Sequence, residues 1–185
     1  MLCGGCPEDQ GNLSTKFRVV KPFVLSYNGT MHSEIKLLET LTKKKLTLAI
    51  AESCTGGLLS NRITNIPGSS KVFLLGTITY SNESKNKVLK VPAKIIQTKG
   101  AVSPEAALAM AKGIRELAHA SFGLGITGIA GPGASTKEKP IGTVFIGLSS
   151  SKKLIAREFH FRGNRLEIKR MATEEAIRML LDFVQ

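Results

Sequence analysis

The apolar run that ends at Ala51 constrains the fold of this chain more than any other segment. It suits a buried strand, and small polar residues and paired glycines follow it directly, in the sequence Leu46-Thr-Leu-Ala-Ile-Ala-Glu-Ser-Cys-Thr-Gly-Gly-Leu-Leu59. A strand that stops at Ala51 and a helix that starts near Thr55 would leave residues 52–54 at the mouth of a cleft, where helix N–H groups attract anions. The pattern predicts an α/β enzyme site with Ser53 as the first candidate.

The composition is that of a globular protein with a basic surface. The chain has 185 residues, 42% of them apolar and 22% charged, which is enough for one domain with a core. No apolar run reaches the length of a membrane span, and the N-terminus lacks the basic and apolar segments of a secretory signal. We therefore expect a cytoplasmic protein without a membrane partner.

The net charge favours an anionic partner. Lysine and arginine number 26 against 14 acidic residues, a net charge of +12. The basic residues are scattered, and with no Trp and two Tyr the chain has few rings on which bases could stack. These features argue against nucleic acid and favour a phosphorylated small molecule, although a basic surface without a specific partner fits the same counts.

The cysteines and histidines predict no metal site. Cys3 and Cys6 have the spacing of a redox or zinc pair, but no second Cys or His pair lies near them in the sequence. The three histidines are far apart. Three cysteines cannot form a paired disulfide framework, which agrees with a reducing compartment.

Strand and helix patterns alternate after an irregular N-terminal arm of residues 1–32, and define one domain over residues 33–185. The second strand pattern is mostly apolar, as in a strand covered on both faces, and the last two alternate like a hairpin. The order predicts an α/β fold, a three-layer α/β/α sandwich with a mixed, mainly parallel sheet of about five to six strands. The predicted strands are residues 46–51, 72–80, 122–129, 142–149 and 154–161.

Helices are predicted before, between and after these strands. Ser33 is the predicted N-cap of a short helix with Ile35 on its buried face, and Ser103 followed by Pro104 is a strong start for a longer one. Further helices are predicted from near residue 55, over 82–90 and over 166–184.

Four polar or glycine-rich clusters lie at the junctions between these elements. They are residues 52–57, 80–85, 127–133 and 162–165. Because strand ends in such sheets converge on one crevice, clusters that are distant in sequence can share one site.

None of these clusters contains a histidine that would activate Ser53. Lys85 is the available base, provided that burial or nearby positive charge lowers its pKa from about 10.4 toward neutrality. Arg165 would add positive potential, and the Tyr80 hydroxyl would order or relay the proton.

The glycines of these clusters predict that backbone groups also contribute to the site. The turn at Gly56 and Gly57 and the loop 128–133 offer N–H groups for an oxyanion or for phosphate oxygens.

Six sequence motifs follow one another along the chain. They are Ala51–Gly57, Tyr80–Lys85, Gly100–Ser103, Gly125–Gly133, Lys139–Gly142 and Phe161–Arg165. In this order they closely resemble the C-terminal domain of the bacterial competence- and damage-inducible CinA family, over about residues 33 to 185. The resemblance implies nicotinamide-mononucleotide amidohydrolase activity, which converts that nucleotide and water to nicotinic acid mononucleotide and ammonia in pyridine-nucleotide salvage. It also implies a homodimer and no metal or organic cofactor.

The resemblance also implies roles for individual residues. Ser53 would be the nucleophile or position the attacking water, with Lys85 as base and Tyr80 beside them. Thr127 would lie in the substrate pocket, and Arg165 would hold the phosphate or carboxamide region. The remaining predicted substrate-binding residues are Thr55, Gly56, Gly57, Gly128 and Gly131.

Family proteins can also carry a larger N-terminal molybdopterin-binding-like domain. The residues before position 46 are too few to hold it, so we expect the stand-alone amidase form.

Other interpretations of the same residues remain open. Ser53 would also serve as a helix cap, and Cys54 is either a rival nucleophile or a small buried thiol. Glu52 is either a general acid or a carboxylate that fixes the turn, and Arg162 is the alternative to Arg165. For the whole domain, the alternative is a non-catalytic module that binds a nucleotide or DNA.

Overall fold

The fold is an open five-stranded sheet with helices packed on both faces. The computed structural model describes residues 32–133 and 135–184. Its strands are β1 Leu48–Glu52, β2 Phe73–Ile78, β3 Phe122–Gly128, β4 Thr143–Ser149 and β5 Leu154–His160. Its α-helices are α1 His32–Lys43, α2 Leu58–Thr64, α3 Asn82–Leu89, α4 Ala93–Lys99, α5 Pro104–Leu117 and α6 Arg165–Val184.

The strand order is β2-β1-β3-β4-β5. β1 pairs in parallel with β2 and β3, whereas β3, β4 and β5 pair antiparallel. The predicted three-layer sandwich with a mixed sheet and a final hairpin is confirmed. β1, β2, β3 and β5 run in one direction, and only β4, among the described strands, runs in the other, because it returns directly beside β3 without a crossover helix.

Side-chain alternation along the strands divides the core between the two faces. On β1, Ile50 belongs to the larger apolar cluster, which α1, α2 and α6 cover, and Ala49 and Ala51 belong to the smaller cluster beneath α5. This side of the sheet is lined by small residues, because α5 approaches the strands closely. A Cβ atom on Gly147 would lie 2.4 Å from the carbonyl oxygen of Ala107.

Gly147→Ala is therefore expected to lower the free energy of unfolding by about 1–3 kcal/mol, since α5 must move to admit the methyl group. Urea unfolding measures the change. Gly133→Ala is the matched control, because a Cβ there would meet nothing within 4 Å. Equal stability of the two variants would contradict the close packing of α5 on β4.

The start of α5 follows the predicted capping pattern. The Ser103 hydroxyl accepts from the N–H of Ala106 at 3.2 Å, and Pro104 occupies the first turn. α1 differs from the prediction, since it already begins at His32 and Ile35 is 39% exposed while Leu37 is buried.

Two further expectations for the fold are wrong. β2 lies at the edge of the sheet and alternates between half-buried and exposed residues, with Leu74 and Ile78 exposed, although its apolar sequence suggested cover on both faces. α4 was not predicted, and α2 begins at Leu58 rather than near Thr55. Apart from His32, the predicted N-terminal arm lies outside the described residues.

No helix within residues 32–133 or 135–184 is long and apolar enough to cross a membrane.

Candidate active site

The carboxyl ends of β1, β2 and β3 lie together at one edge of the sheet. Directly after β1, the N–H of Ser53 donates to the carbonyl of Ile126 in β3 at 3.0 Å. On the other side of β1, the N–H of Thr79 donates to the carbonyl of Glu52 at 2.9 Å. The parallel pairing therefore places the residues that follow β1 and β2 side by side, as expected for ligand sites in such sheets.

Lys85 reaches this edge from α3 and is fully buried, with 1% of its surface exposed. Its Nζ lies 3.0 Å from the Oγ of Ser53. It also lies 2.7 Å from the carbonyl oxygen of Thr79 and 3.3 Å from that of Tyr80. The structure thus brings together the two residues that the missing histidine and the family resemblance had paired, 32 positions apart in the sequence.

The surroundings of Lys85 favour its neutral form. Burial lowers the pKa of Lys85, because the ammonium loses hydration, while the nearby Cys54 acts in the opposite direction. A neutral amine keeps two N–H donors and one lone pair. In the structure Nζ donates to Ser53 Oγ and to both carbonyl oxygens. Once the amine is neutral, its two N–H donors serve the carbonyl oxygens and its lone pair is left for the hydroxyl proton of Ser53. This is the arrangement a general base requires.

Cys54 lacks the environment of a reactive thiol. It is 6% exposed and belongs to the larger apolar cluster, and burial raises its pKa to about 12. The thiol therefore stays protonated near neutral pH, which favours its interpretation as a small core side chain over a rival nucleophile.

Glu52 is fully buried and binds the first turn of α2. Its two carboxylate oxygens accept from the N–H groups of Gly57, Leu59 and Ser60 at 3.0, 3.1 and 2.8 Å and from the Ser60 hydroxyl at 2.7 Å. The carboxylate therefore fixes the turn and is not free to act as a general acid. It also takes the helix N–H groups that were expected to attract a ligand anion, so that expectation is wrong.

Glu52→Gln is expected to destabilise the protein by about 1.5–3 kcal/mol, the range for hydrogen bonds to a charged group. The amide nitrogen of glutamine would face N–H donors, and the negative charge at the helix terminus would be lost. The control is Glu83→Gln, because Glu83 is exposed and its ion-pair partner among the described residues is Lys87, an interaction worth about 0.5 kcal/mol. Urea unfolding of both variants makes the comparison, and equal values would refute this role of Glu52.

Gly56 and Gly57 do not offer free backbone donors. The N–H of Gly56 donates to the carbonyl of Ser53 at 3.1 Å, and that of Gly57 binds Glu52. Both glycines have positive φ, 61° and 91°, which explains their presence in the turn. Their expected contribution as oxyanion or phosphate donors is wrong.

Arg165, at the start of α6, connects two of the predicted clusters. Its guanidinium donates to the Tyr80 hydroxyl at 2.9 Å and to the carbonyl of Gly131. The Tyr80 side chain is thus held by Arg165, and only its backbone carbonyl contacts Lys85. The expected proton relay through the Tyr80 hydroxyl has no support in this geometry. Arg162 is exposed and makes no such contact within the described part of the chain.

Three more of the predicted site residues lie near this edge, of which Thr127 and Thr55 are buried and Gly128 is half-buried. The hydroxyl of Thr127 donates to the carbonyl of Ala101 at 2.7 Å, which ties the loop before α5 to the end of β3. A Cβ on Gly128 would lie 2.7 Å from the carbonyl oxygen of Thr143, so this glycine permits close pairing with β4. Thr55 is fully buried, and its hydroxyl has no partner among the described residues. Their predicted contacts with substrate remain predictions.

Lys169 is a residue of the site that the sequence patterns did not single out. It lies on α6 four positions after Arg165, and its Nζ would be 3.5 Å from a Cβ on Gly56. The spacing of four was visible in the sequence and places both side chains on one face of a helix. A single lysine at this spacing is a weak signal, because lysine is abundant in this chain.

Among the described residues, no group of three or more His, Cys, Asp or Glu side chains is placed to hold a metal ion. Cys3 and Cys6 lie outside these residues.

Fold and site together define an α/β sandwich with a buried Ser–Lys pair at the carboxyl edge of its sheet. Residues 31–184 match the model of the CinA C-terminal domain, and the chain belongs to this family.

Relatives and solved structures of the family support the assignment. A CinA-like protein of Syntrophus aciditrophicus is 50% identical over 142 residues, which are 76% of this chain and 34% of that protein. The crystal structure of the competence/damage inducible protein CihA from Agrobacterium tumefaciens has a TM-score of 0.83 at 34% identity and covers 88% of this chain and 100% of that one. A CinA superfamily protein of Klebsiella pneumoniae has a TM-score of 0.81 at 28% identity, over 84% and 98% of the two chains. The chain spans about a third of the length of the curated relatives that it matches.

Proposed function

We propose that this chain hydrolyses the carboxamide of nicotinamide mononucleotide to nicotinic acid mononucleotide and ammonia. The observation that carries the proposal is the distance of 3.0 Å between Ser53 Oγ and the buried Nζ of Lys85. Lys85 has a lowered pKa and two carbonyl partners for its N–H groups. Membership of the CinA family supports the same activity.

In the proposed reaction, neutral Lys85 accepts the hydroxyl proton of Ser53 while Oγ attacks the carboxamide carbon. The ammonium of Lys85 then returns this proton to the departing nitrogen, so that ammonia leaves and an ester remains on Ser53. A water molecule attacks the ester, its proton passes to Lys85 and then to Ser53 Oγ, and the acid is released. One water is consumed for each ammonia formed.

The same pair also allows a direct route without an ester. Ser53 then orients a water molecule, Lys85 removes its proton, and the hydroxide attacks the carboxamide carbon. Rapid-quench mass spectrometry separates the two routes, because only the first adds the nicotinoyl nucleotide to Ser53.

Arg165 is the proposed contact for the phosphate or carboxamide region. It is exposed, and both of its recorded partners, the Tyr80 hydroxyl and the Gly131 carbonyl, are uncharged. No carboxylate neutralises the guanidinium in these contacts, so its positive charge is available to an anionic ligand.

The test is ammonia release by the purified protein from nicotinamide mononucleotide, nicotinamide riboside and nicotinamide. We expect one ammonia for each mononucleotide consumed and slower reaction of the two compounds without phosphate. Absence of ammonia from the whole panel, with a folded protein, would refute the proposed activity.

The net charge of +12 favours one second candidate, a non-catalytic module that binds a nucleotide or DNA. It predicts tight binding without ammonia release and, for DNA, an affinity that falls steeply with salt. Titration of labelled DNA at several salt concentrations measures this.

From the family resemblance we also propose that the protein is a cytoplasmic homodimer. Leu74 and Ile78 are exposed on the edge strand β2, 47% and 56% respectively, and offer apolar area for contact with a second copy. Light scattering that finds a monomer at micromolar concentration would contradict the dimer.

A further inference from the structure

The candidate site has two cations on its α6 side, Arg165 and Lys169, and neither is paired with a carboxylate among the described residues. Burial favours the neutral form of Lys85. Among the described residues Arg165 donates to the Tyr80 hydroxyl and the Gly131 carbonyl, and the carboxylate of Glu52 accepts from the first turn of α2. Lys169 has neither a hydrogen bond nor an ion pair with any described residue. A site with this balance gains free energy by binding an anion.

Arg165 and Lys169 are neighbours on the same face of α6, one turn apart. Arg165 extends to the loop at Gly131, and the Nζ of Lys169 lies over Gly56, in the turn that follows Ser53. The two cations therefore lie on the α6 side of the site, Lys169 beside the turn that follows Ser53 and Arg165 between Tyr80 and Gly131.

The acidic residues in the first turns of α6 and α3 have other partners. Glu167 lies between the two cations in sequence, but its Oε2 accepts from the N–H of Asn164 at 2.7 Å. Glu83 in the first turn of α3 pairs with Lys87 at 2.6 Å. Neither carboxylate is bound to Lys169.

We propose that Lys169 is a substrate-binding residue that, together with Arg165, binds the phosphate of a nucleoside monophosphate at the α6 side of the site. The inference rests on the proposed function for the identity of the nucleotide. A phosphate held there directs the other end of the molecule toward Ser53, and its double negative charge is matched by two cations. Lys169 thus makes the site specific for phosphorylated over phosphate-free substrates.

The test measures binding separately from turnover. Calorimetry on the Ser53→Ala protein gives the affinity for nicotinamide mononucleotide and for nicotinamide riboside, with and without Lys169→Met. We expect Lys169→Met to weaken binding of the mononucleotide by about ten-fold or more, which corresponds to about 1.4 kcal/mol, and to leave riboside binding unchanged. Lys169→Arg should restore most of the affinity.

Lys112→Met is the matched control, because Lys112 lies on α5 at the opposite face of the sheet and pairs with Glu116. Equal mononucleotide affinity of the Lys169→Met and Lys112→Met proteins would overturn the inference. Equal weakening of both ligands would also overturn it, since that result indicates a change in the turn rather than a lost phosphate contact.

Ammonia release by the unsubstituted protein separates this inference from the proposed function. Phosphate-dependent loss of binding without any ammonia release would refute the amidase and leave the role of Lys169 standing. Normal ammonia release with unchanged binding in Lys169→Met would support the amidase and refute the role of Lys169.

Discussion

Ser53→Ala is expected to reduce kcat for ammonia release from nicotinamide mononucleotide by about a thousand-fold or more, the scale seen when a nucleophilic serine is removed. The substitution deletes the one hydroxyl that lies 3.0 Å from the Nζ of Lys85. The backbone bond from residue 53 to Ile126 does not involve the side chain, so the end of β1 keeps its position. A coupled ammonia assay under saturating substrate measures the loss.

The matched control is Ser151→Ala, in the exposed turn between β4 and β5. β4 runs antiparallel to β3, so this turn lies at the opposite end of the sheet from Ser53. We expect full activity in the control and similar thermal unfolding in both variants. Turnover of Ser53→Ala at the level of Ser151→Ala would exclude Ser53 from the reaction, as nucleophile and as water-positioning group alike.

The sequence was sufficient where the signals are local. Ser103 and Pro104 mark the start of α5 by the chemistry of a helix N-terminus, and the alternation in residues 142–161 marks the hairpin. The order of strands and helices was enough to predict the three-layer sandwich, because helices before and after a sheet must cover its two faces.

The sequence alone did not show where each strand lies within the sheet, and it did not reveal the short helix after Pro92. β2 is as apolar as a central strand, yet it pairs with β1 alone and leaves Leu74 exposed. α4 is a seven-residue helix directly after Pro92, too short for a helical period to be distinguished from a loop. Only the assembled sheet shows which apolar segment is at the edge.

In the candidate site, too, the residue types could be predicted from the sequence, whereas contacts between distant residues could not. Ser53 and Lys85 were paired because the clusters contain no histidine and because the family resemblance singles out Lys85, and the structure places the two in contact. The partner of Glu52 could not be read from the sequence, because a carboxylate after a strand is equally suited to acid catalysis and to helix capping. The direction of the Tyr80 side chain likewise depends on Arg165, 85 positions away.

Lys85→Met is expected to lower kcat/KM by about 10²–10⁴-fold, the usual contribution of a general base. Methionine is similar in length, uncharged and unable to accept the proton of Ser53. It leaves the carbonyl oxygens of Thr79 and Tyr80 without their present donor, so Lys85→Arg is the companion variant, which retains N–H donors but remains protonated. Lys87→Met is the control, because Lys87 is exposed and pairs with Glu83.

The pH dependence of kcat/KM ties this loss to the amine of Lys85 itself. Only the neutral amine accepts a proton, so activity should rise with pH as Lys85 loses its proton and fall as pH drops below its pKa. Because burial lowers that pKa, the midpoint should lie below the value of about 10.4 for a free lysine. The residual activity of both Lys85 variants should lack this rise, whereas Lys87→Met should keep it. An unchanged pH profile in Lys85→Met would show that another group removes the proton from Ser53 or from the attacking water.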